Sequence, residues 1–481
     1  MNNAMNEIRS IEKKLFALGY AANVIGYDDA TVAPPESYPG RGEALAELSA
    51  LCHGFIVNSS LPRLMDEAEQ GELSAQEKAE LRELRKEYNR ICRIPAEEYA
   101  EFSKLISESQ NIWSKAKAAS DFNMFAPNLE KIVEKRRYFA SLLDPSKDPY
   151  DVYLDQFEPG LTTEKCDSFF AELKAGIVPL LNKIIASPNK PDTSILQGPW
   201  DINKQRRLSP MVMELIGLDS NHVAIGESEH PFTTEFYNGD VRITTHYYED
   251  EMLSNLYSVV HEGGHALYES HISDKYFGTC LSGGVSMGIH ESQSRMFENC
   301  IGRSRDFISC IMPMLKEVFP ERFNNADKEE LYRAVNICSP GLIRTEADEV
   351  TYCLHIILRY ELEKKLMSGE ITVRELPEQW NKLMKELLGL EVPCDAKGVL
   401  QDIHWAGGDL GYFPSYALGT AYAAQFMEAM KKELPLFELI EKGDFAPVNA
   451  WLTEHNRQYG SEHSPECIKK NACGEDFSPR Y

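Results

Sequence analysis

The stretch SVVHEGGHALYES, residues 258–270, decides how this chain is read. Its core, His261-Glu262-Gly263-Gly264-His265, sets two histidines four positions apart. On a helix that spacing is about 40° of rotation, so both imidazoles leave one face a single turn apart. Two nitrogens placed this way suit one Zn2+ at roughly 2.0–2.1 Å. Glu262 sits about 100° round from His261. From there its carboxylate reaches a metal-held water without being a ligand, which is the general-base geometry of the H-E-x-x-H pattern.

The immediate flanks strengthen this reading. Leu256, Val259, Val260 and Leu267 are apolar, so the polar trio belongs to a largely buried helix. A buried His-Glu-His set is expensive unless something satisfies it, which argues against mere pairing on an amphipathic face. Gly263 and Gly264 inside a helix each cost about 1 kcal/mol relative to alanine. Tolerating both implies that backbone or substrate approaches closely there. A catalytic zinc needs a third protein ligand and an open position. HESQSR, residues 290–295, opens another helical stretch about thirty residues on, and Glu291 is the expected third ligand, with His290 as its competitor.

Further out, most of the chain has helical periodicity. The expected helices include 75–92, 127–143, 164–184, 251–271, 350–367 and 418–432, separated by breakers such as Pro34-Pro35, the 187–201 stretch and Ser339-Pro340-Gly341. Residues 232–248, FTTEFYNGDVRITTHYY, differ. They are rich in threonine, branched and aromatic residues that suit a pleated surface, and Asn238-Gly239 can supply the positive φ angles of a type I′ hairpin turn. The expectation is a mainly α enzyme with one small antiparallel sheet next to the 251–271 helix. It is taken as a single domain over 1–481, with 1–200 a helical N-terminal part and 201–481 the catalytic core.

Composition narrows the function classes. Lys plus Arg total 50 against 75 Asp plus Glu, a formal net charge of −25, which argues against a nucleic-acid partner. No apolar run approaches the ~18–20 residues of a membrane span. Met1 to Ser10 lacks the layout of a signal peptide. The eleven cysteines are scattered without a C-x-x-C pair. The expected setting is therefore cytoplasmic, with reduced thiols.

Six motifs in order carry a family resemblance. They are His230-Pro231-Phe232, then Asp240-Val241-Arg242-Ile243-Thr244, HEGGH at 261–265, HESQSR at 290–295, Ile343-Arg344-Thr345-Glu346-Ala347-Asp348, and Gly398-Val399-Leu400-Gln401-Asp402-Ile403-His404-Trp405. In these the chain resembles the carboxypeptidase Taq family of zinc metallocarboxypeptidases. The resemblance implies a zincin-like helical fold with a deep substrate groove, usually a homodimer, that removes C-terminal residues from peptides with broad specificity. It implies His261, His265 and Glu291 as ligands of Zn2+, with Co2+ a possible substitute, and Glu262 as general base. The N-terminal part departs from the pattern. Members carry a tryptophan-aspartate pair and then methionine-proline, where this chain has Gly26-Tyr27-Asp28-Asp29 and Val32-Ala33-Pro34-Pro35.

The remaining motif residues have chemical roles to fill. A free substrate carboxylate is best held by paired N–H donors of arginine, and Arg344 and Arg242 are the candidates. Arg344 sits in a helix-like run beside Glu346, Asp348 and Glu349. Asp240 and Thr244 are expected to brace the strand, and Asp402 or Asp348 to orient a ligand imidazole. Gln401 and His404 line the groove by resemblance, and Tyr412 and Tyr416 could donate to a developing oxyanion. The competing readings are a zinc oligopeptidase cutting internal bonds and a non-catalytic scaffold. The scaffold would lack Glu262 or a ligand, and this chain has them all.

Overall fold

The computed structural model describes residues 3–57 and 60–481. Helices dominate, at 69% of the described residues, and the long periodic segments form where the sequence placed them. The 75–92 stretch is the helix Ala75–Cys92, and the others are Ala126–Leu143, Thr163–Ala186, Met252–Ser270, Glu349–Ser368 and Pro414–Met430. The chain divides into two compact units. One comprises Met1–Ile91, Pro191–Val335 and Gly419–Tyr481; the other comprises Cys92–Lys190 and Asn336–Leu418.

The sheet lies in the first unit. Strands β1 (Val223–Glu227), β2 (Thr233–Tyr237) and β3 (Asp240–Thr245) run in the spatial order β1-β3-β2. The expected hairpin is β2–β3, closing with Tyr237 opposite Asp240. Two features correct the sequence reading. Neither Asn238 nor Gly239 takes a positive φ, so the turn is not type I′, and the pairing shifts register between Glu235 and Tyr237. The short apolar run Val223–Glu227 adds itself parallel to β3, which makes the sheet mixed. β3 is thus central, with Val241, Ile243, Thr244 and Thr245 buried beneath the Met252–Ser270 helix.

That helix is the spine of the unit, with thirteen of its residues buried. The following helix, Met287–Arg295, starts where Ser286 accepts the Ile289 N–H at 3.1 Å, an N-cap of the usual kind. The two helices touch backbone to backbone at Gly264, where a β-carbon would lie 2.6 Å from the Gln293 carbonyl oxygen and 2.7 Å from Ser294 Cα. The close approach expected of the glycine pair is therefore real at Gly264. Gly263 faces only side-chain ends, those of Ile216 at 2.5 Å and Leu218 at 3.3 Å.

In the second unit, Arg344 does not lie in a helix. It begins a single 3-10 turn, Arg344–Glu346, and the helix behind starts at Glu349 because Asp348 caps it, accepting the N–H groups of Val350 and Thr351.

Candidate metal centre

The helix Met252–Ser270 presents His261 and His265 to one side, and the helix Met287–Arg295 brings Glu291 against them. One ligand atom from each lies within 4.8 Å of the others. Glu291 Oε2 is 3.9 Å from His261 Nε2 and 3.6 Å from His265 Nε2. The edge of a tetrahedron with ~2.0–2.1 Å bonds is about 3.4 Å, so the two contacts of Glu291 lie within about half an ångström of zinc geometry. Glu291 is itself wedged in place, since a β-carbon on Gly419 would sit 2.5 Å from Glu291 Cβ. Two imidazoles and one carboxylate are a ligand set that suits a catalytic divalent ion, which keeps its fourth position for water or substrate.

Each imidazole is held through its other nitrogen. His261 Nδ1 is 2.8 Å from Glu298 Oε2. Arg295 and Arg303 donate to the same carboxylate, at 3.1 and 3.4 Å. His265 Nδ1 is 2.6 Å from His290 Nδ1, whose Nε2 is 2.8 Å from Glu269 Oε1. The orienting carboxylates are thus Glu298 and Glu269, not the expected Asp402 or Asp348. Asp402 is committed to Arg344 and Arg359, and Asp348 to its helix cap. His290, the competitor for the third ligand, stands behind His265 instead.

Burial and charge tune these groups in opposite directions. Burial presses the His265 imidazole well below its usual pKa, and His290 and His261 add to the effect, so it stays in the neutral ligand form. Burial opposes charge on His261 too, but the bond to Glu298 and the carboxylates of Glu291, Glu298 and Glu262 carry it up to about 9. The carboxylates that favour a proton there equally favour a dication in its place. Burial also works against charge on Glu298, yet Arg295, His261 and Arg303 hold it well below the ordinary carboxylate range.

Glu262 is 7% exposed and raised in pKa, chiefly by burial, which makes it a stronger base than an open glutamate. The Thr233 hydroxyl, from β2, donates to its Oε2 at 2.6 Å. One carboxylate oxygen is pinned and the other left for chemistry.

The other motif residues fall into two groups. In the first unit, Arg242 makes a paired contact with Asp240 at 2.9 Å and packs over Phe236 and Tyr27, at 4.4 and 5.3 Å. Asp240 also accepts the Tyr20 hydroxyl at 2.7 Å, and Thr244 accepts the Phe232 N–H at 2.9 Å, so both brace the sheet as expected. In the second unit, Arg344, Gln401, His404, Tyr412 and Tyr416 cluster together. Arg344 donates to Asp402 from Nε and Nη2, at 3.0 and 2.9 Å, and to the Tyr352 hydroxyl at 3.2 Å. The Gln401 side-chain oxygen Oε1 accepts from the Arg344 backbone N–H and from Arg359, at 2.9 and 2.8 Å. His404 Nε2 lies 3.3 Å from the Tyr416 hydroxyl, and burial, with Arg344 and Arg359 nearby, lowers its pKa to about 4. It is neutral at ordinary pH.

Sequence reasoning missed Glu298, Glu269, Thr233 and Gly419. Two of them left a signal. Glu269 follows His265 by four positions and Glu298 follows Glu291 by seven, both spacings that keep a helical face. The helix passes into a π-turn at Met296–Ile301, a distortion that often marks functional sites.

Comparison with known proteins agrees with this geometry. The family model described as carboxypeptidase Taq (M32) metallopeptidase matches residues 7–481, including the N-terminal part where the motifs depart. The chain is 40% identical to carboxypeptidase 1 of Bacillus subtilis, covering 99% of this chain and 97% of that protein. It is 38% identical to thermostable carboxypeptidase 1 of Pyrococcus furiosus, covering 100% and 97%. The crystal structure of the M32 carboxypeptidase of Deinococcus radiodurans superposes with a TM-score of 0.97 at 34% identity, covering 99% of this chain and 97% of that one. With its fold, its His-His-Glu cluster and its whole length in agreement, this chain belongs to the carboxypeptidase Taq (M32) family and is a metallocarboxypeptidase.

Proposed function

We propose that the chain is a zinc-dependent carboxypeptidase of broad specificity in which His261, His265 and Glu291 hold the metal and Glu262 is the general base. The observation that carries this is the convergence of three ligand atoms beside a carboxylate pinned by Thr233. A bound divalent ion would polarise the scissile carbonyl and acidify the attacking water. Glu262 takes the proton of that water on its unpinned oxygen and passes it to the leaving amine. Glu298 and His290 keep the two imidazoles aimed while this happens. Arg344 and Arg242 are the guanidinium candidates for the substrate's terminal carboxylate, and Gln401, His404, Tyr412 and Tyr416 the further substrate contacts.

The test is mass spectrometry of a peptide digest with metal-loaded and chelated protein, beside elemental analysis. Stepwise loss of C-terminal residues that stops on chelation and returns with Zn2+ or Co2+ supports the reading. Full turnover in metal-free protein overturns it, and internal cleavage moves the oligopeptidase reading ahead. The reading further takes the enzyme to be a cytoplasmic homodimer, which sedimentation and fractionation check.

A further inference from the structure

His265 and His290 meet nitrogen to nitrogen, Nδ1 to Nδ1 at 2.6 Å, and that contact can hold only one proton. If His265 binds a metal through Nε2, that nitrogen offers its lone pair and the ring's proton must sit on Nδ1. His265 is then the donor and His290 Nδ1 the acceptor. A neutral His290 so engaged carries its own proton on Nε2, where Glu269 Oε1 accepts it at 2.8 Å. Every bond direction is fixed by the one before it. Glu269 ends the chain firmly: it is 2% exposed and the same oxygen accepts the Gly284 N–H at 3.1 Å. The His290 ring is closely packed by its surroundings. A β-carbon on Gly284 would lie 2.7 Å from His290 Cδ2 and 3.0 Å from the Tyr268 ring. Tyr268 packs on His290 with ring centroids 5.1 Å apart.

We propose that His290 and Glu269 are positioning residues that select the metal-binding tautomer of His265 through a directed chain from the Glu269 carboxylate to the His265 ring. This rests on the reading of His265 as a ligand. The arrangement differs from that at His261, where a carboxylate contacts the ring directly. At His265 a second imidazole is interposed, so one glutamate acts across two rings.

The experiment measures metal dissociation constants by chelator competition, with folding checked by thermal melting. Replacing the relay, by His290→Leu or Glu269→Gln, is expected to weaken zinc binding by roughly 10–100-fold. His290→Asn keeps an acceptor near the position of Nδ1 and should recover part of the loss, which a merely space-filling residue would not allow. A second readout uses the wild type itself. In zinc-loaded protein with 15N-labelled histidine, the proton should sit on His265 Nδ1 with a coupling across the hydrogen bond to His290 Nδ1. Wild-type affinity in folded His290→Leu, or a loaded His265 with its proton on Nε2, overturns the proposal. The ligand reading fails separately, if His265→Ala keeps full metal content.

Discussion

His261 Nδ1 and Glu298 Oε2 are 2.8 Å apart, and the carboxylate that makes this contact is itself gripped by Arg295 and Arg303. The imidazole is therefore locked by a group that cannot easily swing away. Glu298→Gln keeps the shape and an acceptor but removes the charge, and should weaken metal binding by about 10–100-fold, the usual effect of losing such a partner. Isothermal titration of apo protein with Zn2+ checks this. Unchanged affinity would show that the contact only fills space.

Glu262 and Thr233 make a separable pair. Glu262→Gln should retain metal and lose about 10²–10⁴-fold in kcat, the scale of general-base catalysis. Thr233→Val removes the hydroxyl that pins Oε2 and should lower kcat with little change in metal content, while Thr233→Ser should restore most of the rate. Metal loss in Glu262→Gln would make that carboxylate a ligand instead.

The two glycines of the motif should behave differently. Alanine inside a helix ordinarily gains about 1 kcal/mol over glycine. At Gly264 the new β-carbon would meet backbone, 2.6 Å from Gln293 O, and the helix carrying Glu291 would have to move. Gly264→Ala is expected to lower both the melting temperature and the zinc affinity. Gly263→Ala meets only the movable ends of Ile216 and Leu218 and should be far milder. Equal effects from the two substitutions would show that the helix contact does not set the ligand geometry.

How much of this was legible depends on how local each feature is. The His261–His265 pair follows from helical spacing alone, and Glu291 from the need for a third ligand nearby. The pairing of Val223–Glu227 with β3 was invisible because a short apolar run carries no mark of its distant partner. Asn238-Gly239 permits a type I′ turn but does not impose one, and the shift at Glu235 settled the register instead. Asp402 looked like an orienting group because its partners, Arg344 and Arg359, lie far from it in sequence. Contacts made by folding decide such roles.

Buried glutamate should also shape stability against pH. Glu12 is 4% exposed, and burial, helped by Glu80 and opposed by the Cys280 N–H, raises it from 4.5 to about 7. The folded state thus holds this proton more tightly than the unfolded chain. Its contribution is complete below pH 4.5 and is lost as pH rises through about 7. In urea melts at fixed excess metal, the wild type should lose stability relative to a Glu12→Gln variant as pH rises between roughly 5 and 8. The variant keeps an acceptor for Cys280; a difference that does not change with pH would mean that Glu12 does not titrate there.

Arg344 presents the sharpest choice between structure and recognition. Three of its bonds go to Asp402 and Tyr352, so part of its role is to neutralise a buried carboxylate. A guanidinium fork has further N–H groups beyond those three, and these can serve a substrate carboxylate. If they do, Arg344→Ala should leave zinc content intact and slow cleavage of free peptides by roughly 10–200-fold, from about 1.5–3 kcal/mol for a charge-assisted bond. Lysine should rescue only in part, because a point charge lacks paired donors. C-terminally amidated peptides, which offer no carboxylate, should be poor substrates of the wild type and lose little further in the variant. Comparing kcat/KM on both peptide sets, alongside the melting temperature, checks this. A variant that loses equally on free and amidated peptides, and melts earlier because Asp402 is left under-paired, would make Arg344 a brace and turn the search for the carboxylate site to Arg242.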